Sequence, residues 1–325
     1  MSTHTIQSCV VAPSRLGRLR DYVNGMFPLH IRVPLNLLNF AFIYVGLQAL
    51  QHQQPIRFSW ISVIGAVTVQ LLWFFIRVYD ELKDADSDIA LARAGDARFQ
   101  NRPIVTGQVK LEDIAALRWW MTALVFAINV PFGFPALLLG ILIAMGYLTL
   151  TYKWLFWPEL RNHVMLVFVT HLPNALVIEV YTAAVFVAEF GMPDTGLAAT
   201  LLLALWATVA AFEFAYKIRA PQDETVLTTY SKRLGWRTAT WLCMAFLATA
   251  IGCTLATFQA AHLPHWGAIT IGAAGGWAMW GCIAFLRNPT TQRAMLTRYV
   301  GIYWYLSCIV LVACACMQRG VVTAL

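Results

Sequence analysis

Five carboxylates and one lysine crowd the nine residues Asp80-Glu81-Leu82-Lys83-Asp84-Ala85-Asp86-Ser87-Asp88. If the apolar run before them continues as a helix, Asp80, Asp84 and Asp88 fall at i, i+4 and i+8 and share one face. Like charges at that spacing weaken a helix by about a few tenths of a kcal/mol per pair, a cost that a cation between them would offset. Carboxylates at a water–lipid boundary are hard oxygen ligands for Mg²⁺, which takes one or two protein groups and leaves the remaining positions to substrate phosphates. The other reading of an acidic run is a solvated helix end. A second charged stretch narrows the choice. Glu213 and Lys217 stand at i,i+4, Arg219 follows, and Asp223 and Glu224 lie beyond Pro221, which is expected to stop the helix. Lysine and arginine hold phosphate oxygens by charge-assisted hydrogen bonds. Two such clusters facing one another would join Mg²⁺ ligands to phosphate-binding cations, and that pair is far more specific than either part.

The elements that must position these residues are membrane helices. The 325 residues are 59% hydrophobic and 12% charged, about half the charge of a soluble domain. Nine apolar runs approach bilayer-crossing length: Pro34–Leu50, Phe58–Tyr79, Ile114–Phe132, Phe134–Tyr152, Val164–Val187, Leu197–Tyr216, Trp236–Phe258, Trp266–Leu286 and Tyr299–Met317. They are continuously apolar rather than alternating, which argues against a β-barrel. The expected fold is an all-α integral membrane protein, a bundle of about nine transmembrane helices around a central cavity. The acidic stretch follows the second run and the second cluster ends the sixth. An even number of crossings separates them, so both reach the same side.

Basic residues orient the bundle. Of 23 lysines and arginines, all but Arg57 and Arg319 fall on that side, which the positive-inside rule makes cytoplasmic. The N-terminus is expected there and the C-terminus outside. A basic surface facing membrane lipid accounts for the net charge of +7 without nucleic acid. Residues 1–31 read as a basic leader with a weak amphipathic face, and 32–325 as one transmembrane domain, with 80–113 and 213–235 as its two cytoplasmic motif segments. Six of seven cysteines lie within the apolar runs and are expected to pack as small apolar side chains. Gly272, Gly275 and Gly276 are expected to allow close helix approach.

Other polar residues fall where lipid makes them expensive. Asn36 and Asn39 in the first run face the interior, either bonding a neighbouring helix or lining a cavity. The fifth run holds His171, Asn174 and Glu179, and a carboxylate at that depth must be paired, neutral or functional. The connection from Ala90 through Asn101 to Arg102-Pro103-Ile104-Val105-Thr106-Gly107 is the longest loop, long enough to serve as a lid or binding segment. The end of the fourth run and the connection after it hold Tyr147, Tyr152, Lys153 and Trp157-Pro158-Glu159.

With these residues in view, the sequence resembles the UbiA superfamily of intramembrane prenyltransferases, and the resemblance covers most of the chain. The family's Asn-x-x-Asp-x-x-x-Asp motif has its counterpart in Glu81-x-x-Asp84-x-x-x-Asp88, followed by Arg102-Pro103 and Thr106-Gly107. Its aromatic-Lys segment resembles Tyr152-Lys153. Its second motif is matched at its end by Thr229-Tyr230-Ser231-Lys232-Arg233-Leu234-Gly235. The departures are Glu81 in place of Asn and Lys217-x-Arg219 in place of Asp-x-x-x-Asp.

The resemblance implies a Mg²⁺-dependent enzyme in a bacterial-type inner or plasma membrane that ionises an allylic prenyl diphosphate and transfers the prenyl group to a lipophilic, aromatic or quinone-like acceptor. Asp80, Glu81, Asp84, Asp88, Lys153, Glu213, Lys217, Arg219 and Asp223 would carry the chemistry, with Glu81, Asp84 and Asp88 on the metal. Asn36, Asn39, Arg77, Arg102, Tyr147, Tyr152, His171, Asn174, Glu179 and Tyr216 would contact substrate. Two other readings stand beside it. In a terpene cyclase of the same superfamily the cation cyclises internally, and in a transporter Glu179 and His171 carry protons, although charges gathered at one surface argue against a midplane site.

Overall fold

The computed structural model describes residues 14–224 and 229–324. The start of the basic leader with Cys9, residues 225–228 of the second motif segment, the Arg98 side chain and Leu325 lie outside the described residues. The remainder of the leader forms α1 (Arg15–Met26), opened by Ser14, whose side chain accepts from the Gly17 amide. Arg18 fastens α1 to the bundle, its Nε donating to Asp113 Oδ2 at 2.7 Å. The first apolar run becomes α2 (Leu29–Leu50), which begins ahead of Pro34.

After strand β1 (Ile56–Ser59), Ser59 accepts from the amides of Ile61 and Ser62 in a capping box and starts α3 (Trp60–Arg93). Thirty-four residues at about 1.5 Å each make a rod of roughly 50 Å, against about 30 Å of hydrocarbon. The excess is the acidic stretch, carried on as helix beyond the apolar run. The connection expected to be a loop from Ala90 is therefore helical through Arg93, and α4 (Ala97–Gln100) adds a further turn. Ala90, Leu91, Ala92 and Arg93 are all strong helix formers, and four in a row sustain the rod.

Next come α5 (Leu111–Asn129) and α6 (Pro135–Tyr152). The fifth run, expected as one span, is divided into α7 (Val164–His171) and α8 (Pro173–Phe190). Proline has no amide hydrogen and its ring opposes the carbonyl four residues back, so the chain is broken at Pro173. This break sets His171 and Asn174 on either side of a bend.

The chain then runs through α9 (Thr195–Lys217), α10 (Tyr230–Leu234), α11 (Trp236–Ala260), α12 (His265–Arg287), α13 (Thr291–Leu296) and α14 (Tyr299–Arg319) to β2 (Val321–Ala324). Asp194 caps α9 by accepting from the Leu197 amide. At its other end Ala220, before Pro221, is extended, as a residue preceding proline tends to be. Strand β2 pairs in parallel with β1, Ile56 against Val321 and Ser59 against Ala324, a pairing that the apolar pattern did not announce.

Among the described residues nine segments are long and apolar enough to cross a membrane, one for each expected run. The protein is an integral, multi-pass, all-helical membrane protein. Lipid tails are as apolar as leucine, so the helices associate through close packing and small residues. On α9, Ala204, Ala207, Ala210 and Ala211 are fully buried, and α11 packs beside it with Ala239, Cys243 and Ala250. Gly275 lies against Ile251 and Tyr303, whereas Gly272 and Gly276 face open space, so close approach is realised only at the first. A buried polar node joins three helices: the Asn129 amide donates to Thr68 Oγ1 and its oxygen accepts from the Tyr181 hydroxyl, both at 2.8 Å. This node ties α3, α5 and α8 together.

Candidate active site

At the shared end of α3 and α9 lies a pocket of about 340 Å³. Asp80, Lys83 and Asp84 of α3 line it together with Glu213 and Lys217 of α9, and Trp73, Trp154, Phe168 and Tyr230 supply aromatic walls. The two charged clusters thus face one space. His171 and Asn174, on either side of the Pro173 break, complete the lining.

Each lysine is held by one carboxylate and one ring. Lys83 Nζ donates to Asp80 Oδ1 at 3.1 Å and lies 4.9 Å from the Trp154 ring centroid. Lys217 donates to Glu213 and lies 5.2 Å from the Tyr230 ring. Such cation–ring contacts strengthen as water is excluded. Burial pushes the Tyr230 phenol up to about 12, so it stays protonated at neutral pH. Asp84, one turn beyond Asp80, borders the pocket; its carbonyl accepts from Ser87 Oγ, while its carboxylate makes no hydrogen bond or ion pair among the described residues.

His171 is oriented by its own helix. Nδ1 stands 3.0 Å from the Val167 carbonyl oxygen and 3.1 Å from Thr170 Oγ1, and the tautomer with its proton on Nδ1 satisfies the carbonyl. Nε2 is buried with no hydrogen-bond partner among the described residues. The ring tilts against Trp154 at 5.4 Å. Asn174 Oδ1 accepts from Thr151 Oγ1 at 3.0 Å.

The other expected site residues are distributed elsewhere. Glu81 points off the pocket side of α3, fully buried and paired with Arg77. Asp88, also buried, is paired with Arg102, which ties the Arg102-Pro103 segment to α3. Among the described residues no three His, Cys, Asp or Glu side chains gather into a metal-ligand set. Asn36 Nδ2 donates to Gln70 Oε1 at 2.9 Å and Asn39 Oδ1 accepts from Trp304 Nε1 at 2.8 Å, so both amides join helices. Glu179 is buried in α8 with both carboxylate oxygens unpartnered.

Tyr147 donates to the Thr170 carbonyl at 3.0 Å. Lys153 lines a separate hollow between α5 and α6, and Tyr152 stands between that hollow and a small cavity shared with Asp80, Lys83, His171 and Asn174. Tyr216 is exposed, its ring 5.4 Å from the Arg298 guanidinium. The Arg219 amide donates to Ser231 Oγ at 3.0 Å, Asp223 closes a short turn from Pro221, and neither residue lines the pocket. Glu224 accepts from Thr229 Oγ1 at 2.7 Å and Ser231 Oγ at 2.5 Å, at the start of α10.

Lys83, Trp73, Trp154, Phe168 and Tyr230 line the pocket but were absent from the expected set. Lys83 had a signal, a cation three residues after Asp80 in an otherwise acidic run. The aromatic residues had none, because the chain holds 13 tryptophans and 19 phenylalanines and most of them simply pack.

The sequence matches no family model and no curated protein. Solved structures do match. A digeranylgeranylglyceryl phosphate synthase superposes with a TM-score of 0.61 at 12% identity, covering 92% of this chain and 98% of that one. A UbiA homolog from Aeropyrum pernix K1 superposes with a TM-score of 0.57 at 20% identity, over 86% and 98%. Both overlaps span nearly the whole of each neighbour, and on that ground the chain has the UbiA fold.

Proposed function

We propose that this protein is a Mg²⁺-dependent intramembrane prenyltransferase that ionises an allylic prenyl diphosphate and passes the prenyl group to a lipophilic, aromatic or quinone-like acceptor. The observation that carries the reading is the pocket in which Asp80 and Asp84 face Glu213 and Lys217 between aromatic walls. The neighbours' fold adds support, one of them being a synthase of a prenylated lipid by its name.

The donor set fits Mg²⁺. Among the described residues the Asp84 carboxylate is unpartnered and that of Asp80 is paired with Lys83, and one or two carboxylates suffice when substrate phosphates complete the shell. Glu81 and Asp88 are left with their arginines. When bound, the metal neutralises charge on the departing diphosphate. Lys83 and Lys217 hold diphosphate oxygens and stabilise the charge that develops there as the C–O bond breaks. Trp73, Trp154 and Phe168 face the allylic cation, each ring contributing about 1–2 kcal/mol when desolvated. His171 Nε2 takes the proton that the acceptor gives up as the new bond forms, and Nδ1 stays bonded to Val167. Residues 32–325 act as one domain. The one-sided lysines and arginines support a cytoplasmic pocket end and N-terminus and an outside C-terminus.

The test is a product profile from protein in nanodiscs given prenyl diphosphates of several lengths, with Mg²⁺ or with chelator, with and without an aromatic acceptor. Mg²⁺-dependent diphosphate release with a prenylated acceptor is the expected result. A cyclic hydrocarbon formed without acceptor would move the assignment to a terpene cyclase. No Mg²⁺-dependent release at any chain length would reject the reading.

A further inference from the structure

The hollow that holds Lys153 is larger than the charged pocket, about 630 Å³, and lies between α5 and α6. Its deeper wall is apolar, from Phe126, Leu142 and Met145, and Arg118 and Lys153 stand at its rim. Both cations share one ring: Arg118 Cζ lies 5.5 Å and Lys153 Nζ 5.0 Å from the Tyr152 centroid. That ring is fixed by stacking on Tyr79 at 4.5 Å, and the Tyr79 hydroxyl is 3.0 Å from Thr149 Oγ1. Neither cation has an ion-pair partner among the described residues, and Arg118 Nε is buried without a hydrogen bond.

Two like charges gathered on one ring repel, and a buried guanidinium donor lacks its acceptor. An anion between them would answer both. The level of the site in the bundle names the kind of anion. Lys153 caps the C-terminal end of α6, and Trp119, a ring 4.8 Å from Arg118, is exposed beside it. Tryptophan and basic residues at helix ends mark the headgroup region of a bilayer. The hollow contains no carboxylate, so it offers nothing to a metal-bound diphosphate, whereas a singly charged phosphodiester needs only the two cations.

We propose that this hollow binds an anionic phospholipid of the surrounding bilayer, with its phosphate between Arg118 and Lys153 and an acyl chain along Phe126, Leu142 and Met145. The inference is independent of the prenyl-transfer reading.

Native mass spectrometry of the full chain in detergent, titrated with phosphatidylglycerol and with phosphatidylcholine of the same acyl chains, tests it. One phosphatidylglycerol should bind in preference to phosphatidylcholine. The Arg118→Gln/Lys153→Gln variant should lose on the order of tenfold in phosphatidylglycerol affinity, because each basic side chain near a lipid surface adds comparable attraction, while phosphatidylcholine adducts stay unchanged. Lys153→Gln alone, at an exposed helix end, should show a smaller loss in the same direction and guards against a misfolded double variant. Equal binding of the two lipids by the unmodified protein, or undiminished phosphatidylglycerol binding by both variants, overturns the proposal. Displacement of the bound lipid by a prenyl diphosphate overturns it as well, since the hollow would then be a substrate site.

Discussion

Lys83 reaches Asp80 from within the acidic stretch, its Nζ 3.1 Å from Oδ1 while it lies 4.9 Å from the Trp154 ring. The side chain of Lys83 is 7% exposed and that of Asp80 is 41%. A lysine this sheltered needs a counter-charge, and Asp80 supplies it. The acidic face of α3 is therefore partly neutralised by its own helix. Asp84 is left as the carboxylate that meets the pocket unpartnered.

Removing the Lys83 charge should weaken substrate capture. If Lys83 holds the diphosphate as proposed, Lys83→Gln deletes one charge-assisted contact, so KM for a prenyl diphosphate should rise on the order of tenfold to a hundredfold. Lys83→Arg, which keeps the charge beside Trp154, should recover part of the loss. Steady-state kinetics on both variants decide the point, and an unchanged KM in Lys83→Gln would remove Lys83 from the substrate contacts.

Asp88 and Arg102 should behave as one structural unit. Asp88 is 4% exposed, and the Arg102 guanidinium also lies 4.4 Å from the Phe99 ring, so the pair pins the connection after α4 to α3. Asp88→Asn and Arg102→Gln should each lower thermal stability, and the double variant should be little worse than either, with a coupling of about 1 kcal/mol or more. Melting temperatures of the four proteins give the cycle. Additive losses would show that the pair does not act together.

Tyr230 provides a pH test of burial. Its phenol is raised from 10.0 to about 12, first by burial, with Lys217 opposing. Because the folded value is the higher one, the neutral phenol favours the folded state fully below pH 10, and that stability is lost as pH rises through about 12. The melting temperature should consequently fall more steeply between those limits in the unmodified protein than in Tyr230→Phe. Parallel slopes would show that Tyr230 ionises as freely in the folded protein as in the unfolded one.

Much of this arrangement could be read from the chain because membrane helices announce themselves residue by residue. Each of the nine runs contains a spanning segment, and the helical extension of Asp80 to Asp88 follows from an uninterrupted pattern. The meeting of Asp84 with Lys217 followed from counting crossings. What escaped was set by partners distant in sequence. Nothing in Glu81 or Asp88 distinguishes them from Asp84 until Arg77 and Arg102 are seen to take them. Lys153 follows an aromatic residue as the resemblance leads one to expect, yet the end of α6 turns it toward Arg118 rather than Asp84. The β1–β2 pairing joins residues more than 260 positions apart through backbone groups, which leave no periodic trace.

Asp84 bears the sharpest prediction, because the carboxylates of α3 do different work. Asp84→Asn keeps the shape and removes the charge of the unpartnered pocket carboxylate, so Mg²⁺-dependent turnover should fall on the order of 10²-fold or more, comparable to losing one strong electrostatic contact in a transition state. Asp80→Asn should lose activity too, and it also releases Lys83. Stability should change little in Asp84→Asn, which borders the pocket and relieves like-charge repulsion along the helix, whereas Asp80→Asn should lower the melting temperature because it leaves the sheltered Lys83 without its counter-charge. Glu81→Gln should reverse the pattern. It leaves Arg77 without its counter-charge in a fully buried place, so the melting temperature should drop while the Mg²⁺ requirement of the surviving protein stays as it was. Turnover against Mg²⁺ concentration, measured beside thermal melts for the three variants, separates the roles. Near-normal turnover in Asp84→Asn, or a shifted Mg²⁺ requirement in Glu81→Gln with its stability intact, would move the metal from Asp84 to the other face of the helix.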